Sequence, residues 1–473
     1  MHGKLNMLKK VLISCLVGLS ALSSFMIYAA EKPNFIVILT DDQGYADVGF
    51  NGSDDIISPN IDRIASEGTK FTNGYVTYAV CGPSRAGLLT GRYQGRFGFG
   101  RNPIIDPTDA NSGLPLEEKM ISEILKPVGY TSSIIGKWHM GTHEKFRPNK
   151  RGFDHFYGFL SGGHKYFPED LTIDTIENAK KNWSWYNTKI MENNKRVEID
   201  EYLTDELSNE AVKFIEREKD KPFFLYLAYN APHTPLQASK AYLDRNTHIK
   251  DKKRRTYAAM VTAVDDGVGR ILAKLDELGI DDNTMVIFLS DNGGARNKGA
   301  KNGELRGFKG GYFEGGIHVP FAVRWPGKIP EGVVYKKPVS SLDILATFAG
   351  ITQAPIAKER PLDGVNLMPF ITGKDKGILH DVLFWRAFDQ GTLATRRGDS
   401  KAINSDREGN HLFDLANDLS EKDNLLNDNK TQYQQHMLEL ETWEAELIDP
   451  IFKPLQGRHV DSKKSKKNQK NKN

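Results

Sequence analysis

The sequence predicts an α/β fold, with a large mixed, mostly parallel sheet sandwiched by helices and a small C-terminal antiparallel sheet with one helix. Two observations predict this fold. Short apolar runs alternate with helical patterns as far as residue 375, which is typical of a parallel sheet covered by helices. Beyond residue 376 the apolar runs become short and closely spaced, which is typical of antiparallel strands. A chain of 473 residues is long enough to bury a large core.

Each predicted element corresponds to one of these runs. In the main sheet the predicted strands are Phe35–Leu39, Thr131–Ile135, Phe223–Ala228, Met285–Leu289 and Phe321–Arg324, and the predicted helices are Lys119–Pro127, Leu203–Lys219, Arg254–Leu278 and Leu342–Ala349. In the C-terminal part the predicted strands are Val382–Phe388, Leu393–Thr395 and Lys401–Ile403, followed by a helix at Gln432–Leu447.

The two ends of the chain differ from its body. Three lysines precede an apolar run, Val11–Ile27, which ends in small residues, so residues 1–30 are predicted to be a signal peptide. An uncleaved anchor and a lipid attached to Cys15 are the alternatives. Residues 457–473, rich in Lys and Asn, are predicted to be a disordered basic tail. Between them we predict a catalytic α/β domain at 31–375 and an α+β subdomain at 376–456.

The charge distribution limits the possible partners. The formal net charge is +3, but the two ends carry the excess, and the rest of the chain has 54 basic and 60 acidic side chains. A large nucleic-acid-binding face is therefore not expected. No segment after the signal is apolar and long enough to span a bilayer, so stable membrane insertion is not expected, and the predicted location is periplasmic or secreted.

Acidic and amide side chains follow two of the predicted strands. Asp41 and Asp42 come after the first strand, where Gly44 permits a turn, and Asp291 and Asn292 come after the fourth. Because ligands gather at the carboxyl ends of strands in such sheets, these four oxygen ligands indicate a Ca²⁺ or Mg²⁺ site rather than zinc. Each acidic pair by itself is more typical of a solvated turn, and it is the presence of two such pairs, both after apolar strands, that gives the metal site equal weight.

A third pattern is the segment 81–92, which reads CGPSRAGLLTGR. Pro83 suits the first turn of a helix, so Cys81 would lie just before the helix N-terminus, where partial positive charge favours an anion. After cleavage of the signal Cys81 would be the one cysteine left, so it could form no internal disulfide. It is therefore either buried and inert or retained for chemistry.

The segment 81–92 resembles the signature of the type I, formylglycine-dependent sulfatases of the alkaline-phosphatase-like superfamily. Companion segments match in the same order, and they read GKWHMG at 136–141, APHTP at 231–235, GFKGG at 307–311 and LFDL at 412–415. The resemblance covers residues 33–450 and departs from the family pattern at Phe413, where the family has Tyr. It looks closest to carbohydrate sulfatases of the arylsulfatase B and galactosamine-sulfatase type.

This resemblance implies a set of roles. Cys81 would be converted to Cα-formylglycine, whose hydrate is the nucleophile, by a formylglycine-generating or radical sulfatase-maturating enzyme. Ca²⁺, with Mg²⁺ as the alternative, would be bound by Asp41, Asp42, Asp291, Asn292 and an oxygen of residue 81. Arg85 would hold the hydrate, and Lys137 and Lys309 would bind sulfate oxygens. His139 would deprotonate the sulfated intermediate and His233 would protonate the leaving oxygen, although these two could exchange duties.

The predicted substrate is a sulfated carbohydrate, such as a marine galactan like carrageenan or a glycosaminoglycan fragment. Between Ser161 and Tyr186 lie several aromatic and basic residues that could contact a sugar, although a rim loop that packs its own aromatic rings explains them equally well. Further substrate-binding candidates are Arg96, Arg101, His164 and Lys165. The competing functions are a phosphonate monoester or phosphodiester hydrolase of the same superfamily and a non-catalytic glycan-binding homologue.

Overall fold

The computed structural model describes residues 32–179, 181 and 183–454. The predicted signal peptide, Cys15 and the predicted basic tail lie outside these residues. The strands are β1 Asn34–Thr40, β2 Thr69–Phe71, β3 Gly74–Tyr75, β4 Thr131–Lys137, β5 His155–Phe159, β6 Ile190–Glu192, β7 Lys195–Val197, β8 Phe223–Ala228, β9 Thr284–Ser290, β10 Phe321–Arg324, β11 Val333–Tyr335, β12 Val339–Ser340, β13 Val382–Ala387, β14 Thr392–Arg397, β15 Ser400–Ser405 and β16 Gly409–Asp414.

Most of the α-helices precede or follow strands of the main sheet, and the last one follows the C-terminal sheet. The helices are α1 Pro59–Ser66, α2 Cys81–Thr90, α3 Ile121–Leu125, α4 Leu203–Glu218, α5 Lys240–Arg245, α6 Lys252–Leu278, α7 Glu314–Ile317, α8 Asp343–Thr352, α9 Met368–Ile371 and α10 Lys430–Glu444. Within the described part of the chain no helix has the length and apolar character needed to cross a membrane.

The main sheet has ten strands in the order β11-β2-β10-β9-β1-β8-β4-β5-β6-β7. Strand β1 lies at its centre and pairs in parallel with β8 on one side and β9 on the other. Strands β4 and β5 continue the parallel part, whereas β10, β6 and β7 pair in antiparallel fashion. The predicted large, mixed and mostly parallel sheet is confirmed.

Both faces of the sheet are buried. All seven residues of β1 are buried, and alternate side chains enter two different clusters because neighbouring residues of a strand point to opposite faces. Phe35, Val37 and Leu39 pack with helices α2, α3 and α8. Ile36 and Ile38 pack with α1, α4 and α6 on the other face. Burial on both faces explains why β1 is an apolar run without polar alternation.

The C-terminal part forms a four-stranded antiparallel sheet in the order β13-β14-β15-β16, followed by α10. One face packs against the main domain, where Trp385 donates a hydrogen bond of 2.7 Å to the carbonyl of Val76. Strand β16 contains Phe413, the departure from the family pattern, which is buried next to Phe313. The predicted C-terminal sheet and helix are confirmed, and β16 is a fourth strand that the apolar pattern did not show.

Many of the elements that were not predicted from the sequence are short, although β5 with five residues and α1 with eight were not predicted either. Strands β2, β3, β6, β7, β11 and β12 have two or three residues each, too few to show an alternating pattern. The predicted helix Lys119–Pro127 is shorter in the structure, because α3 ends at Leu125 and a 3₁₀ turn, Lys126–Val128, follows. Gly129 ends that turn in the left-handed conformation, which glycine adopts without strain.

Candidate active site

The acidic residues after the first and fourth predicted strands lie side by side. Strands β1 and β9 are parallel neighbours in which Thr40 pairs with Ser290, so both chains leave the sheet at the same edge. The N–H of Asp291 donates to the carbonyl of Thr40, and the N–H of Asp42 donates to Oδ1 of Asp291 at 3.2 Å. The pairing of the two strands therefore brings Asp41, Asp42 and Asp291 together.

The turn after β1 occurs at Asp42 itself. Asp42 has a φ of 65°, which is uncommon for a residue with a side chain and turns its carboxylate toward that of Asp41. Gly44, which was expected to permit the turn, has a different role. A methyl group at Gly44 would lie 2.2 Å from the carbonyl oxygen of Lys301, so glycine is needed there for a close approach of two chain segments.

Cys81 is the first residue of α2, and its side chain is buried at the same edge of the sheet. Its Sγ lies 3.3 Å from Oδ1 of Asp41, 3.9 Å from Oδ1 of Asp42 and 3.0 Å from Nζ of Lys309. Burial, together with the negative charges of Asp291 and Asp41, raises the pKa of the thiol to about 12. The unmodified cysteine is thus a neutral thiol and a poor nucleophile at neutral pH.

Each carboxylate of the site is paired with a cation from another segment. The shortest contacts are Nζ of Lys137 to Oδ2 of Asp41 at 2.6 Å, Nζ of Lys309 to Oδ1 of Asp42 at 2.5 Å and Nε of Arg85 to Oδ2 of Asp291 at 2.8 Å. Lys309 is the most accessible of the three cations, with a side chain that is 20% exposed, whereas Arg85 and Lys137 are fully buried. Each of the three carboxyl groups therefore has a basic partner within the site.

These contacts shift the pKa values of the site. Burial by itself would raise the pKa of Asp42, but Lys309 and His233 outweigh burial and hold this pKa below its ordinary value. Burial would lower the pKa of Lys309, but Asp42, Cys81 and Asp41 hold it well above its ordinary value. Asp42 and Lys309 are therefore both charged at neutral pH.

Two imidazoles face this cluster. Nε2 of His233 lies 3.7 Å from Oδ2 of Asp42, and Nδ1 of His233 lies 2.6 Å from the carbonyl of Thr234, to which it donates its proton. Burial, together with Lys309 and Lys137, lowers the pKa of His233 to about 3. Nε2 of His233 is therefore unprotonated at neutral pH, and a role as proton donor would require a bound anion to raise this pKa.

His139 is the second imidazole. It has a φ of 63°, and its Nδ1 is buried and has no hydrogen-bond partner among the described residues. Burial, together with Lys137 and Arg85, lowers its pKa well below the ordinary value, so the ring is neutral and can accept a proton. A residue with a side chain held in the left-handed conformation and with an unpaired nitrogen is typical of a functional position.

The donor atoms fit a divalent cation. Ligand atoms of Asp41, Asp42, Cys81 and His233 all lie within 4.8 Å of one another. Oδ1 of Asn292 is buried nearby without a hydrogen-bond partner, while its Nδ2 donates to Asp42. Two carboxylates and a free amide oxygen form a set of hard ligands that suits Ca²⁺ or Mg²⁺. Spacing alone did not indicate that an imidazole would stand beside them.

Most of the predicted substrate-binding residues are engaged in contacts within the protein. The guanidinium of Arg96 is held by Asp363 and Glu446, and that of Arg101 by Asp389 and the carbonyl of Phe452. The imidazole of His164 is buried, with its ring stacked on Phe159. Lys165 is partly exposed, and its Nζ lies 3.9 Å from Asp170. These contacts engage Arg96, Arg101 and His164 within the protein, and the substrate-binding role of the four residues stays a prediction.

A second buried network stands behind the Lys309 loop. The carboxylate of Glu314 in α7 accepts from Lys401 at 2.7 Å and from the Tyr75 hydroxyl at 2.5 Å. Lys401 also lies 2.8 Å from Glu421, whose other carboxylate oxygen accepts from the N–H of Glu314. The sequence analysis missed this network because its members are far apart in the chain and carry no shared motif.

Backbone hydrogen bonds connect the loop in front of the Glu314–Lys401 network to the segment that precedes Cys81. The N–H of Gly310 donates to the carbonyl of Ala79, two residues before Cys81, and the N–H of Lys309 donates to the carbonyl of Gly294. Glu314 lies five residues after Lys309 and is fixed by β15 of the C-terminal sheet through Lys401. The C-terminal sheet therefore supports the loop that carries Lys309.

Comparison with known proteins identifies relatives over most of the chain. A family model described as "Sulfatase" matches residues 33–354, and a second model, "N-sulphoglucosamine sulphohydrolase, C-terminal", matches residues 303–446. The N-acetylgalactosamine-6-sulfatase of Mus musculus is 37% identical over 369 residues, which cover 75% of this chain and 69% of that protein.

Solved structures show the same similarity. The crystal structure of Ps i-CgsB is 42% identical to this chain with a TM-score of 0.85, and the match covers 90% of this chain and 96% of that one. The structure of Ps i-CgsB in complex with k-i-k-neocarrahexaose is 41% identical with a TM-score of 0.84, and the match covers 92% of this chain and 96% of that one.

Proposed function

Because the chain belongs to the sulfatase family and is therefore a sulfuric ester hydrolase, we propose that it removes sulfate from a sulfated carbohydrate. Two findings support this substrate class. The murine relative is named for a sulfated amino sugar, and the structural relative Ps i-CgsB was crystallised with an oligosaccharide. Family membership also favours sulfate esters over the phosphonates and phosphodiesters that the sequence analysis left open.

One observation carries the proposed mechanism. Sγ of Cys81 lies between a carboxylate oxygen of Asp41 at 3.3 Å and Nζ of Lys309 at 3.0 Å, at the start of a helix and within the acidic cluster. The neutral thiol is a poor nucleophile, whereas a hydrated aldehyde in the same place would offer two oxygens to these partners. We therefore keep the sequence-based prediction that Cys81 is converted to Cα-formylglycine.

The residues around position 81 suit the two halves of the reaction. A hydroxyl oxygen of the hydrate would attack sulfur, the S–O bond to the alcohol would break, and the alcohol would leave with a proton. The second hydroxyl would then lose its proton, the C=O bond would re-form, and sulfate would depart. The neutral imidazole of His139 suits the removal of that proton.

The cations and His233 would act on the sulfate group. Lys309, the accessible cation, would bind a sulfate oxygen together with Lys137, and Arg85 would hold Asp291 and the hydrate in place. A bound sulfate ester adds negative charge beside His233 and raises its pKa, which would enable proton donation to the leaving oxygen. Ca²⁺ or Mg²⁺, held by Asp41, Asp42, Asp291, Asn292 and residue 81, would supply Lewis-acid stabilisation of the developing charge.

Sulfate release by protein of known aldehyde content tests this function. The fraction of residue 81 present as aldehyde is measured by peptide mass spectrometry, and the enzyme is then assayed on defined sulfated oligosaccharides, 4-nitrophenyl sulfate and a phosphodiester. We expect sulfate release from at least one oligosaccharide, a rate proportional to the aldehyde fraction, and no measurable release by the Cys81→Ala variant.

Three results would contradict the proposal in different ways. Hydrolysis confined to 4-nitrophenyl sulfate would contradict the proposal that the substrate is a carbohydrate sulfate. Faster hydrolysis of the phosphodiester than of the sulfate esters would favour a phosphodiester hydrolase. Full activity of protein in which residue 81 is still a thiol would contradict the formylglycine mechanism. Export from the cell, which the sequence predicts, is tested separately by the mass of the N-terminal peptide of the mature protein.

A further inference from the structure

Tyr186 and His139 lie against two adjacent glycines. A methyl group added at Gly162 would lie 2.6 Å from Nε2 of His139, and one added at Gly163 would lie 2.5 Å from the hydroxyl oxygen of Tyr186. Contacts this close are possible only because both positions lack a side chain. The Gly162–Gly163 pair thus makes room on consecutive residues for an imidazole of the active site and for the phenol of Tyr186.

The hydroxyl of Tyr186 is available for a ligand. It has no hydrogen-bond partner among the residues that the structure describes, although the residue is only partly exposed. Burial and the nearby negative charges of Asp41 and Asp42 raise the pKa of Tyr186, so the phenol keeps its proton and can donate it in a hydrogen bond. A phenol that is partly buried normally finds a partner, so this unpaired hydroxyl suits a polar group of a ligand.

Two tryptophans extend this surface outward. The ring centroid of Trp183 lies 5.5 Å from that of Trp185 and 5.7 Å from that of Tyr186. Trp183 is 61% exposed, and Trp185 is partly exposed. An exposed tryptophan next to other aromatic rings leaves apolar surface in contact with water, which is typical of a place where a ligand binds. We call Trp183, Trp185 and Tyr186 the aromatic wall.

Backbone hydrogen bonds fix the aromatic wall. The N–H of Tyr186 donates to the carbonyl of Trp183 at 3.0 Å, and the N–H of Lys165 donates to the carbonyl of Tyr186 at 2.9 Å. Nδ2 of Asn187 donates to the carbonyl of Asp170 at 2.7 Å. Because the Tyr186 end of the wall is tied to the segment 165–170, the ring of Tyr186 is held in place before a ligand arrives.

The buried part of the same segment is anchored to the catalytic residues. The hydroxyl of Tyr166 donates to the carbonyl of His233 at 2.8 Å, and Nδ2 of Asn230 donates to the carbonyl of His164 at 2.9 Å. The tertiary structure thus divides the aromatic residues of this region into two sets. Tyr166 and His164 are scaffold, and Trp183, Trp185 and Tyr186 face outward beside the active site.

We propose that the aromatic wall binds the sugar that carries the sulfate, with the exposed ring of Trp183 stacked on a pyranose face and the hydroxyl of Tyr186 donating a hydrogen bond to the same saccharide. The inference rests on the proposed function, because it assumes a carbohydrate sulfate as substrate. The wall is continuous with the site through Gly163, and the neighbouring Lys181 is exposed, which suits a polyanionic chain. Aromatic side chains present the flat apolar surface that a sugar face needs.

The test compares saccharide with aryl sulfate in two variants, Trp183→Ala and Tyr186→Phe. Three saccharides are first assayed with wild type: k-i-k-neocarrahexaose, a chondroitin 6-sulfate oligosaccharide and a heparin oligosaccharide. The saccharide that wild type desulfates fastest is then used for the variants, and 4-nitrophenyl sulfate is the aryl sulfate. Stacking and one hydrogen bond each contribute about 1 kcal/mol, so we expect the ratio of kcat/KM on the saccharide to kcat/KM on the aryl sulfate to fall about 5-fold in each variant. The loss should appear in KM for Trp183→Ala.

Two matched variants serve as controls. Leu438→Ala removes an exposed apolar side chain from α10, and Tyr433→Phe removes a hydroxyl that has no hydrogen-bond partner among the described residues. Both should keep the wild-type ratio, and thermal denaturation should show all four variants folded.

The outcomes separate this inference from the proposed function. If wild type desulfates a saccharide and both wall variants keep its ratio, the wall only packs its own rings and the inference is wrong while the function stands. If wild type desulfates no saccharide and hydrolyses the aryl sulfate, the proposed substrate class fails and the inference fails with it. Saccharide binding by the Cys81→Ser variant, followed by tryptophan fluorescence and weakened by Trp183→Ala, would support the wall independently of turnover.

Discussion

Each of the three carboxylates at the site faces a cation that reaches it from a different part of the chain. Lys309 differs from the other two cations because its side chain is partly exposed and its amine contacts both Asp42 and Cys81. This exposure makes Lys309 the cation that we propose contacts a sulfate oxygen of the substrate. Arg85 and Lys137 are fully buried, and their removal would leave a buried carboxylate unpaired.

We expect the Lys309→Met variant to lose about 10²- to 10³-fold in kcat/KM for sulfate esters, because one positive charge no longer stabilises the transferring group. Steady-state kinetics on 4-nitrophenyl sulfate measure this loss. The Lys298→Met variant, which changes an exposed lysine between Gly294 and Lys309, should retain wild-type kinetics. A Lys309→Met enzyme with an unchanged kcat/KM would show that this amine does not act on the substrate.

Among the elements, the C-terminal sheet supports the catalytic loop through a buried ion pair. Lys401 of β15 lies between Glu314 and Glu421, and all three side chains are fully buried. Burial by itself would raise the pKa of Glu314, but Lys401 and His318 hold it below its ordinary value, so the carboxylate is charged. A charged carboxylate in such a place depends on its cation.

We expect the Lys401→Met variant to lose about 3–5 kcal/mol in its free energy of unfolding, because the change removes the amine that contacts the buried carboxylate of Glu314 and the buried carboxyl group of Glu421. Chemical denaturation measures this loss, provided that unfolding is reversible. Lys422→Met, which changes an exposed lysine next to Glu421, is the control and should unfold like wild type. Wild-type stability of Lys401→Met would mean that the network does not hold the C-terminal sheet against the Lys309 loop.

At the scale of the whole molecule, the candidate metal site joins the two strands at the centre of the sheet to helix α2. Its donors come from the ends of β1 and β9 and from the first residue of α2. A cation that binds the folded chain and not the unfolded chain stabilises the entire fold by mass action. Thermal stability therefore reports binding without requiring turnover.

We expect Ca²⁺ to raise the Tm of chelator-treated protein, with a gain of about 2.7 kcal/mol at a free concentration 100 times Kd. Differential scanning fluorimetry over a series of Ca²⁺ and Mg²⁺ concentrations measures the effect and ranks the two ions. The Asn292→Ala variant removes a ligand and should require a higher concentration, whereas Asn111→Ala, an exposed amide, should behave like wild type. An unchanged Tm at millimolar concentrations of both ions would contradict the site.

The sequence alone determined the fold class and the family. Apolar runs such as Phe35–Leu39 predict central strands because burial on both faces requires them, and the segment 81–92 carries the family signature in consecutive residues. The same reasoning placed Asp41 and Asp291 at one edge of the sheet, since parallel strands end together.

Only the tertiary structure decided how the remaining polar and aromatic side chains are used. Arg96 and Arg101 are basic residues that pair with carboxylates far along the chain, and Trp183 and Tyr166 are aromatic residues of one segment with opposite exposure. The Lys401 network joins residues about 90 positions apart in the sequence. The partner and the exposure of each of these side chains depend on which distant segments come into contact in the folded chain. A local pattern of charge or hydrophobicity does not predict those contacts.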